Sequence, residues 1–177
     1  MSEQIAVICG TNRQDAVSLR ITEIYHNILK GLGVPAVMIN LSKLPLDFAF
    51  SALYSNYGKN SDFNTYIAQM LESKKFVFIV PEYNGSFPGA LKTFIDGLDY
   101  PNTFRNKKGA LVGLASGGYG AALALSHLSD IFGYCGMHLL AYKPRLEKIE
   151  RNFSNGAFTN PKYQEMLERQ ASMLLEF

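Results

Sequence analysis

A polar loop between two apolar segments carries the residues best suited to chemistry in this sequence. An apolar run over 76–80 predicts a buried strand, and Pro88 with the apolar stripe that follows it predicts a helix beginning at that proline. Between them, the pair Asn84 and Gly85 predicts a tight turn. The loop offers a carboxylate, a phenol ring, an amide, a hydroxyl and backbone N–H groups. These groups suit a flat heteroaromatic ring with polar edges better than they suit hydrolysis. The alternative is a plain strand-to-helix connection that only turns the chain.

A second group of polar residues follows an apolar strand predicted over 5–9. Thr11 and Ser18 supply hydroxyl groups and Arg13 supplies a guanidinium, next to a helix predicted to begin near Val17. A helix N-terminus binds anions through its free N–H groups, and a guanidinium matches the geometry of phosphate. The loop has one glycine and not the three of the dinucleotide fingerprint, so we expect a single phosphate monoester, as on a mononucleotide. The alternative is that Arg13 pairs with a surface acid and that Thr11 and Ser18 cap the helix.

A third loop, over 116–120, has glycine at three of its five positions and follows an apolar strand predicted over 109–115. Glycines let the backbone approach a ligand closely, although a tight turn would explain one of them. The helix predicted over 121–132 is apolar nearly all round, which indicates burial on more than one side. In a chain of this size we expect such a helix to lie in a subunit interface. His127 on this helix is expected to be a satisfied structural histidine.

Strands and helices alternate along the whole chain. Further strands are predicted over 34–41 and 137–142, a last helix from Pro161, and an irregular segment over 143–160. Alternation predicts an α/β protein with a parallel sheet covered by helices on both faces. We therefore expect a flavodoxin-like three-layer sandwich with a five-stranded parallel sheet in the order 2-1-3-4-5. In that order strands one, three and four have contiguous carboxyl ends, so the three loops would converge on one ligand.

Length and composition limit the classes of function. A chain of 177 residues with 47% hydrophobic and 18% charged residues indicates one folded domain over 1–177 and excludes a disordered protein. The net charge of +2 and the lack of a basic block give no reason to expect nucleic acid. Arg105, Lys107 and Lys108 are expected to be solvated residues at the start of a strand. No apolar run approaches the roughly 20 residues that span a bilayer, so we expect no membrane association.

The two cysteines, Cys9 and Cys135, form neither a disulfide framework nor a metal-ligand spacing. Both are expected to be buried thiols. With no signal peptide recognised before the first strand, the expected location is cytoplasmic.

The residues of these loops resemble the NADPH-dependent FMN reductase family, the flavodoxin-like group that includes bacterial quinone, azo-dye and chromate reductases. The resemblance covers nearly the whole chain and is most specific over 81–96. It implies bound FMN, NADPH or NADH as co-substrate, and two-step hydride transfer through the flavin. The implied acceptors are quinones, azo compounds, free flavin or similar small molecules. The implied assembly is a homodimer or homotetramer with each flavin near the interface.

The resemblance also implies ten cofactor-binding residues, without any catalytic side chain or metal ligand. For the FMN phosphate these are Thr11, Arg13 and Ser18; for the isoalloxazine ring they are Pro81, Glu82, Tyr83, Asn84 and Gly85, mostly through backbone atoms, with Ser116 and Gly117 at the other edge of the ring. The sequence departs from the family at Asp15-Ala16-Val17, where many members have a small polar pair. A carboxylate there is unfavourable for a bound phosphate unless Asp15 points away or pairs with Arg13 or Arg20.

Two alternatives come from other classes of protein. One is a flavodoxin-type electron carrier that passes single electrons to protein partners. Such carriers are typically strongly acidic, and the balanced charge of this chain speaks against that function. The other is a protein that has kept the fold, lost the cofactor and acts through its interface.

Overall fold

A parallel β-sheet with helices on both faces forms the body of the protein. The computed structural model describes residues 3–177. The strands are β1 (Ile5–Cys9), β2 (Ala36–Asn40), β3 (Lys75–Pro81), β4 (Lys108–Leu114), β5 (His138–Leu139), β6 (Arg145–Leu146), β7 (Phe153–Ser154) and β8 (Ala157–Phe158). The helices are α1 (Val17–Gly31), α2 (Phe48–Ser51), α3 (Ser61–Glu72), α4 (Gly89–Asp96), α5 (Ala122–Tyr134), α6 (Ile149–Asn152) and α7 (Pro161–Glu176). The predicted helix start at Val17 is confirmed.

The strand order β2-β1-β3-β4-β5 confirms the predicted flavodoxin-like sheet, and all of these pairs are parallel. The fifth strand differs from the prediction over 137–142. It consists of β5, which pairs with the start of β4, and of β6, which pairs with the end of β4. Pro144 lies between them and has no N–H for a strand ladder, although its carbonyl accepts a hydrogen bond from the Gly113 N–H at 2.9 Å. A proline therefore divides the edge strand.

The two faces of the sheet have separate apolar cores. Phe76 and Phe78 of β3 face α3, α4 and α5, and pack with Phe104 and Phe132. The alternate residues of the same strands face α1 and α7. Strands β1 and β3 are buried over their whole length, as expected for central parallel strands covered on both sides.

The segment over 143–160 is not irregular, as the sequence predicted, but contains β6, α6 and a β7–β8 hairpin. The hairpin turns at Asn155 and Gly156, which both have positive φ, as a two-residue hairpin loop requires. Phe158 of the hairpin packs edge-on against Tyr163 in the first turn of α7. Short elements of this kind leave little periodic signal in a sequence.

No helix in the described part of the chain combines the length and the apolar character needed to cross a bilayer.

Candidate functional site

The three polar loops meet in one cleft at the carboxyl ends of β1, β3 and β4. Six of the ten predicted binding residues line this cleft: Arg13, Ser18, Pro81, Glu82, Tyr83 and Ser116. Thr11 lies beneath it, while Asn84, Gly85 and Gly117 continue the two loops that border it. The predicted convergence of the loops is therefore confirmed.

Thr11 joins two of the loops. Its side chain is fully buried, and its Oγ1 shares a hydrogen bond of 3.0 Å with the Tyr83 hydroxyl. The same Oγ1 accepts a hydrogen bond of 3.2 Å from the Arg13 N–H. Thr11 thus fixes the tyrosine of one loop to the backbone of the other, and it does not cap a helix.

The N-terminus of α1 lacks a cap from any described side chain. Its N-cap residue is Ala16, so the alternative that Thr11 and Ser18 cap this helix is wrong. The alternative that Arg13 pairs with a surface acid is wrong too, because Arg13 is exposed and pairs with no acid among residues 3–177. An uncapped helix N-terminus beside a free guanidinium is suited to a phosphate group.

Asp15 lies close to the N-terminus of α1, and its carboxylate forms no ion pair within residues 3–177. It lines the cleft, and it pairs with neither Arg13 nor Arg20, since Arg20 binds Glu23 at 3.1 Å. Its φ of 52° lies in the left-handed region, which aspartate tolerates better than most residues. The departure from the family pattern therefore places a negative charge at the cleft, which would repel a bound phosphate.

The predicted turn at Asn84 and Gly85 is confirmed. Both residues have positive φ, at 51° and 73°. The Tyr83 N–H donates to the Ser86 carbonyl at 2.7 Å and the Ser86 N–H donates to the Tyr83 carbonyl at 3.0 Å, closing a two-residue turn. The Ser86 hydroxyl shares a hydrogen bond of 2.8 Å with Nδ1 of His127 on α5. His127 thus has a hydrogen-bond partner, as predicted, but it lies exposed on the surface.

Glu82 contributes an unsatisfied acceptor to the cleft. Its backbone N–H donates to the Leu114 carbonyl at 3.1 Å and ties the loop to β4. Its Oε2 is buried and has no hydrogen-bond partner among residues 3–177. A buried carboxylate oxygen without a donor is costly, and Glu82 is one of the residues that line the cleft. The site is therefore suited to a ligand that brings an N–H or O–H group.

The glycines of the third loop fall into two kinds. A Cβ on Gly120 would lie 2.6 Å from the Cβ of Arg145, so the packing of the chain requires that glycine. A Cβ on Gly117 or Gly118 would meet no heavy atom of the described chain within 4 Å. The backbone at these two positions is open to solvent and can be approached closely by a ligand.

Seven of the lining residues were not among the ten predicted, and two of these, Ile149 and Glu150, lie outside the three predicted loops and the strands before them. They belong to the segment that was predicted to be irregular. The Ser116 hydroxyl donates to Oε1 of Glu150 at 2.8 Å, which places a carboxylate on the rim. The pairing of β6 with β4 brings this segment to the site, and no local sequence signal predicts that pairing.

Neither cysteine offers a metal site or an activated thiol. Residues 3–177 contain no cluster of three or more histidine, cysteine, aspartate or glutamate side chains that could hold a metal ion. Burial raises the pKa of the Cys9 thiol, and burial also raises that of Cys135. Cys9 is buried as predicted, whereas Cys135 is only half-buried.

Comparison with known proteins agrees with this chemistry. The sequence profile of the NADPH-dependent FMN reductases matches residues 4–143. A 2-hydroxy-1,4-benzoquinone reductase from Burkholderia sp is 27% identical over 154 residues, which cover 79% of this chain and 75% of that protein. An NAD(P)H:quinone oxidoreductase from Solanum tuberosum is 28% identical over 142 residues, covering 77% and 71%. Among solved structures, the flavoenzyme NAD(P)H:(acceptor) oxidoreductase FerB from Paracoccus denitrificans superposes with a TM-score of 0.79 at 20% identity, over 98% of this chain and 96% of that one.

Proposed function

We propose that this chain, which belongs to the NADPH-dependent FMN reductase family and is an FMN-dependent NAD(P)H oxidoreductase, binds FMN in the cleft described above and reduces quinones and similar small acceptors there. The observation that carries the site assignment is the uncapped N-terminus of α1 beside the unpaired Arg13, at the carboxyl ends of the central strands. We also propose that residues 1–177 act as a single FMN-binding domain.

The phosphate end of FMN fits the first loop. The N–H groups at the start of α1, the hydroxyl of Ser18 and the guanidinium of Arg13 are donors, and a phosphate monoester is an acceptor of several hydrogen bonds. Thr11 supports this loop from below through its contact with Tyr83. In our proposal Thr11 positions the loop, and Arg13 and Ser18 bind the phosphate.

The ring end fits the other two loops. The turn at Asn84 and Gly85 presents backbone N–H groups that suit the carbonyl and imine edge of the isoalloxazine. Glu82 offers the buried Oε2 as an acceptor for an N–H or O–H of FMN. The open backbone at Ser116 and Gly117 allows close approach from the opposite edge.

The chemistry assigned to the cleft needs no nucleophile or general base from the protein. When bound, FMN supplies the two-electron carrier between the nucleotide and the acceptor. With a quinone as acceptor, the reactants are NAD(P)H, one solvent proton and the quinone, and the products are NAD(P)⁺ and the hydroquinone. The acceptor thus gains two electrons and two protons, one proton from solvent and the other with the hydride. The side chains of the cleft bind and orient. The loop N–H groups can also stabilise negative charge that develops on a bound ring.

We also propose that the chain forms a homodimer through the face made by α4 and α5. Tyr100 and Tyr134 are 62% and 80% exposed and stack on each other at 6.3 Å, beside a groove between the two helices. Leu123 of α5 is 57% exposed, and its Cδ1 would lie 3.8 Å from a Cβ atom placed on Gly85. Exposed apolar residues grouped in this way favour association, and a partner on this face would lie next to the flavin loop. Light scattering of the purified protein tests it: a dimer or tetramer mass is expected, and a monomer mass would contradict the proposal.

The reductase function is tested by the visible spectrum of the FMN-loaded protein under anaerobic conditions. We expect NADPH or NADH to bleach the flavin absorbance and a quinone to restore it, with the preferred nucleotide given by the two bleaching rates. A protein that binds FMN but is not bleached by either nucleotide would act as an electron carrier with another donor. A protein that binds no FMN would have kept the fold without the chemistry.

A further inference from the structure

We infer that Glu150 selects electron acceptors by charge: its carboxylate on the rim of the cleft disfavours anionic acceptors relative to neutral ones. The inference rests on the proposed reductase function and deepens it, because it names the class of acceptor that the site favours.

Glu150 belongs to the cleft by position. It lines the same cavity as Arg13, Pro81 and Tyr83, although it is far from them in the sequence. Its side chain is exposed, and its Oε1 accepts the 2.8 Å hydrogen bond from Ser116, one of the residues assigned to the ring. A molecule that reaches the ring through this side of the cleft passes the carboxylate.

The backbone holds Glu150 in this position. The Ile149 N–H donates to the Ala115 carbonyl at 3.1 Å, and the Lys148 N–H donates to the Gly117 carbonyl at 2.9 Å. In the other direction, the Ala115 N–H donates to the Leu146 carbonyl at 3.1 Å. The segment that carries Glu150 is thus attached to the end of β4 and to the glycine loop. It lies beyond residues 4–143, which the family profile matches.

The charges around the cleft do not cancel once a phosphate is bound. The lining residues include three carboxylates, on Asp15, Glu82 and Glu150, and one cation, on Arg13. Arg13 is at the phosphate end, where FMN would neutralise it. Lys148 and Arg151 flank Glu150 in sequence, but within the described residues neither lines the cleft or forms an ion pair with it. The ring end therefore has negative charges without a counter-ion.

The expected size of the effect follows from Coulomb's law. Two unit charges about 8 Å apart at an effective dielectric constant of about 40 interact strongly enough to change a rate or an affinity about fivefold. Because the rim is open to solvent, added salt should reduce the effect.

The test measures the acceptor step alone. FMN-loaded protein is reduced beforehand with dithionite, without excess, and mixed anaerobically with either 1,4-naphthoquinone or 1,4-naphthoquinone-2-sulfonate. We expect Glu150→Gln to raise the ratio of the second-order rate constant for the sulfonate to that for the neutral quinone about fivefold, and Glu150→Lys to raise this ratio about 25-fold. Glu147→Gln is the matched control, because it removes the same charge three residues earlier from a side chain outside the cleft. It should leave both rate constants within twofold of the wild type.

Two further measurements test the inference, the first without turnover and the second without a variant. The dissociation constant of the redox-inert naphthalene-2-sulfonate, followed through the visible spectrum of the oxidised protein, should fall about fivefold in Glu150→Gln. In the wild type, added salt should speed the reaction with the sulfonate and leave the neutral quinone unaffected. Equal sulfonate-to-neutral ratios in wild type and both Glu150 variants would overturn the inference, as would a wild-type ratio that salt does not change. A wild-type protein that binds no FMN, or that does not reduce the neutral quinone, would instead contradict the proposed function itself.

Discussion

The two ends of the parallel sheet differ in whether their charged side chains have hydrogen-bond partners. At the amino ends of the strands, Lys75 begins β3 and its Nζ donates to the carbonyls of Leu174 and Leu175 at 2.9 and 3.1 Å. The Nζ of Lys107, just before β4, donates to the carbonyls of Met70 and Leu71 at 3.3 and 2.8 Å. The partner carbonyls lie in the last turns of α7 and α3, where cations compensate the helix dipole and the free carbonyls.

At the carboxyl ends, three polar groups have no such partners. Arg13 has no acid beside it within the described chain, the N-terminus of α1 has no side-chain cap there, and Oε2 of Glu82 has no donor. The comparison teaches that a charged residue is better identified as structural or as a candidate for ligand binding by its hydrogen-bond partners than by its residue type. The sequence led us to expect Lys107 and Lys108 to be solvated, and this was wrong: both are partly buried, and the Nζ of Lys108 donates to the carbonyl of Phe177.

The largest effect is expected for Arg13→Ala. It should weaken FMN binding by about 1.5–3 kcal/mol, the scale of a hydrogen bond to a charged group, and leave the free energy of unfolding of the FMN-free protein unchanged. Flavin titration and denaturant unfolding measure the two quantities. Arg20→Ala is the control, since Arg20 is also exposed near the start of α1 but pairs with Glu23. Unchanged FMN affinity in Arg13→Ala would remove the phosphate site from the first loop.

Lys75→Ala should lower stability without weakening FMN binding, which is the reverse of what we expect for Arg13→Ala. Loss of the ammonium leaves the last carbonyls of α7 without donors and should lower the free energy of unfolding by about 1–2 kcal/mol. Burial disfavours the ammonium and lowers the pKa of Lys75, which offsets part of the stability gained from these hydrogen bonds. FMN affinity should not change, and the exposed neighbour Lys74 gives the control Lys74→Ala. A variant that lost FMN affinity and kept its stability would break the contrast between the two ends.

A smaller effect is expected from Asp15→Asn. The substitution removes the negative charge beside the phosphate site, and asparagine tolerates the same positive φ. FMN binding should become tighter by about 0.5–1 kcal/mol, as for an exposed charge pair, and the gain should shrink as salt is added. Flavin titration of Asp15→Asn beside Asp47→Asn, an exposed acid outside the cleft, measures it. Weaker binding would mean that Asp15 supports the loop.

The last prediction concerns the pH dependence of stability. Burial lowers the pKa of Lys107 to about 8 from an ordinary value of 10.5. Between these two values the unfolded chain holds a proton that the folded protein has released, so the free energy of unfolding contributed by this group rises with pH from about 8 to about 10.5. Below about pH 8 the lysine is charged in both states and its contribution is constant. Urea unfolding of wild type and Lys107→Met across this range should give a difference that grows in favour of the wild type, and a flat difference would contradict the assignment.

Local sequence patterns predicted the parts of the fold that depend on local chemistry. The apolar runs that became β1, β3 and β4 are continuous because these strands are covered on both faces. Asn84 and Gly85 predicted their turn because few other residues adopt positive φ twice in succession. The order of the strands then brought three separate loops to one edge, so most of the cleft was predictable.

The remaining part of the site depends on contacts between distant residues. Pro144 divides the edge strand, and the second half, β6, returns to β4 and brings Glu150 to the cleft. No sequence pattern near Glu150 predicts that this residue lies in the cleft. The contact between Thr11 and Tyr83 joins residues 72 positions apart, so a residue assigned to phosphate binding is in fact buried and holds the two loops together.

The central claim is that ligand binding belongs to the end of the sheet with unpartnered polar groups. The most direct measurement is an FMN titration of the ¹⁵N-labelled protein, followed through the amide chemical shifts. We predict the largest shift changes at residues 11–18, 82–85 and 116–118, with Lys75, Lys107 and Lys108 unchanged. Largest changes at the lysine end, or in the groove between α4 and α5, would contradict the account.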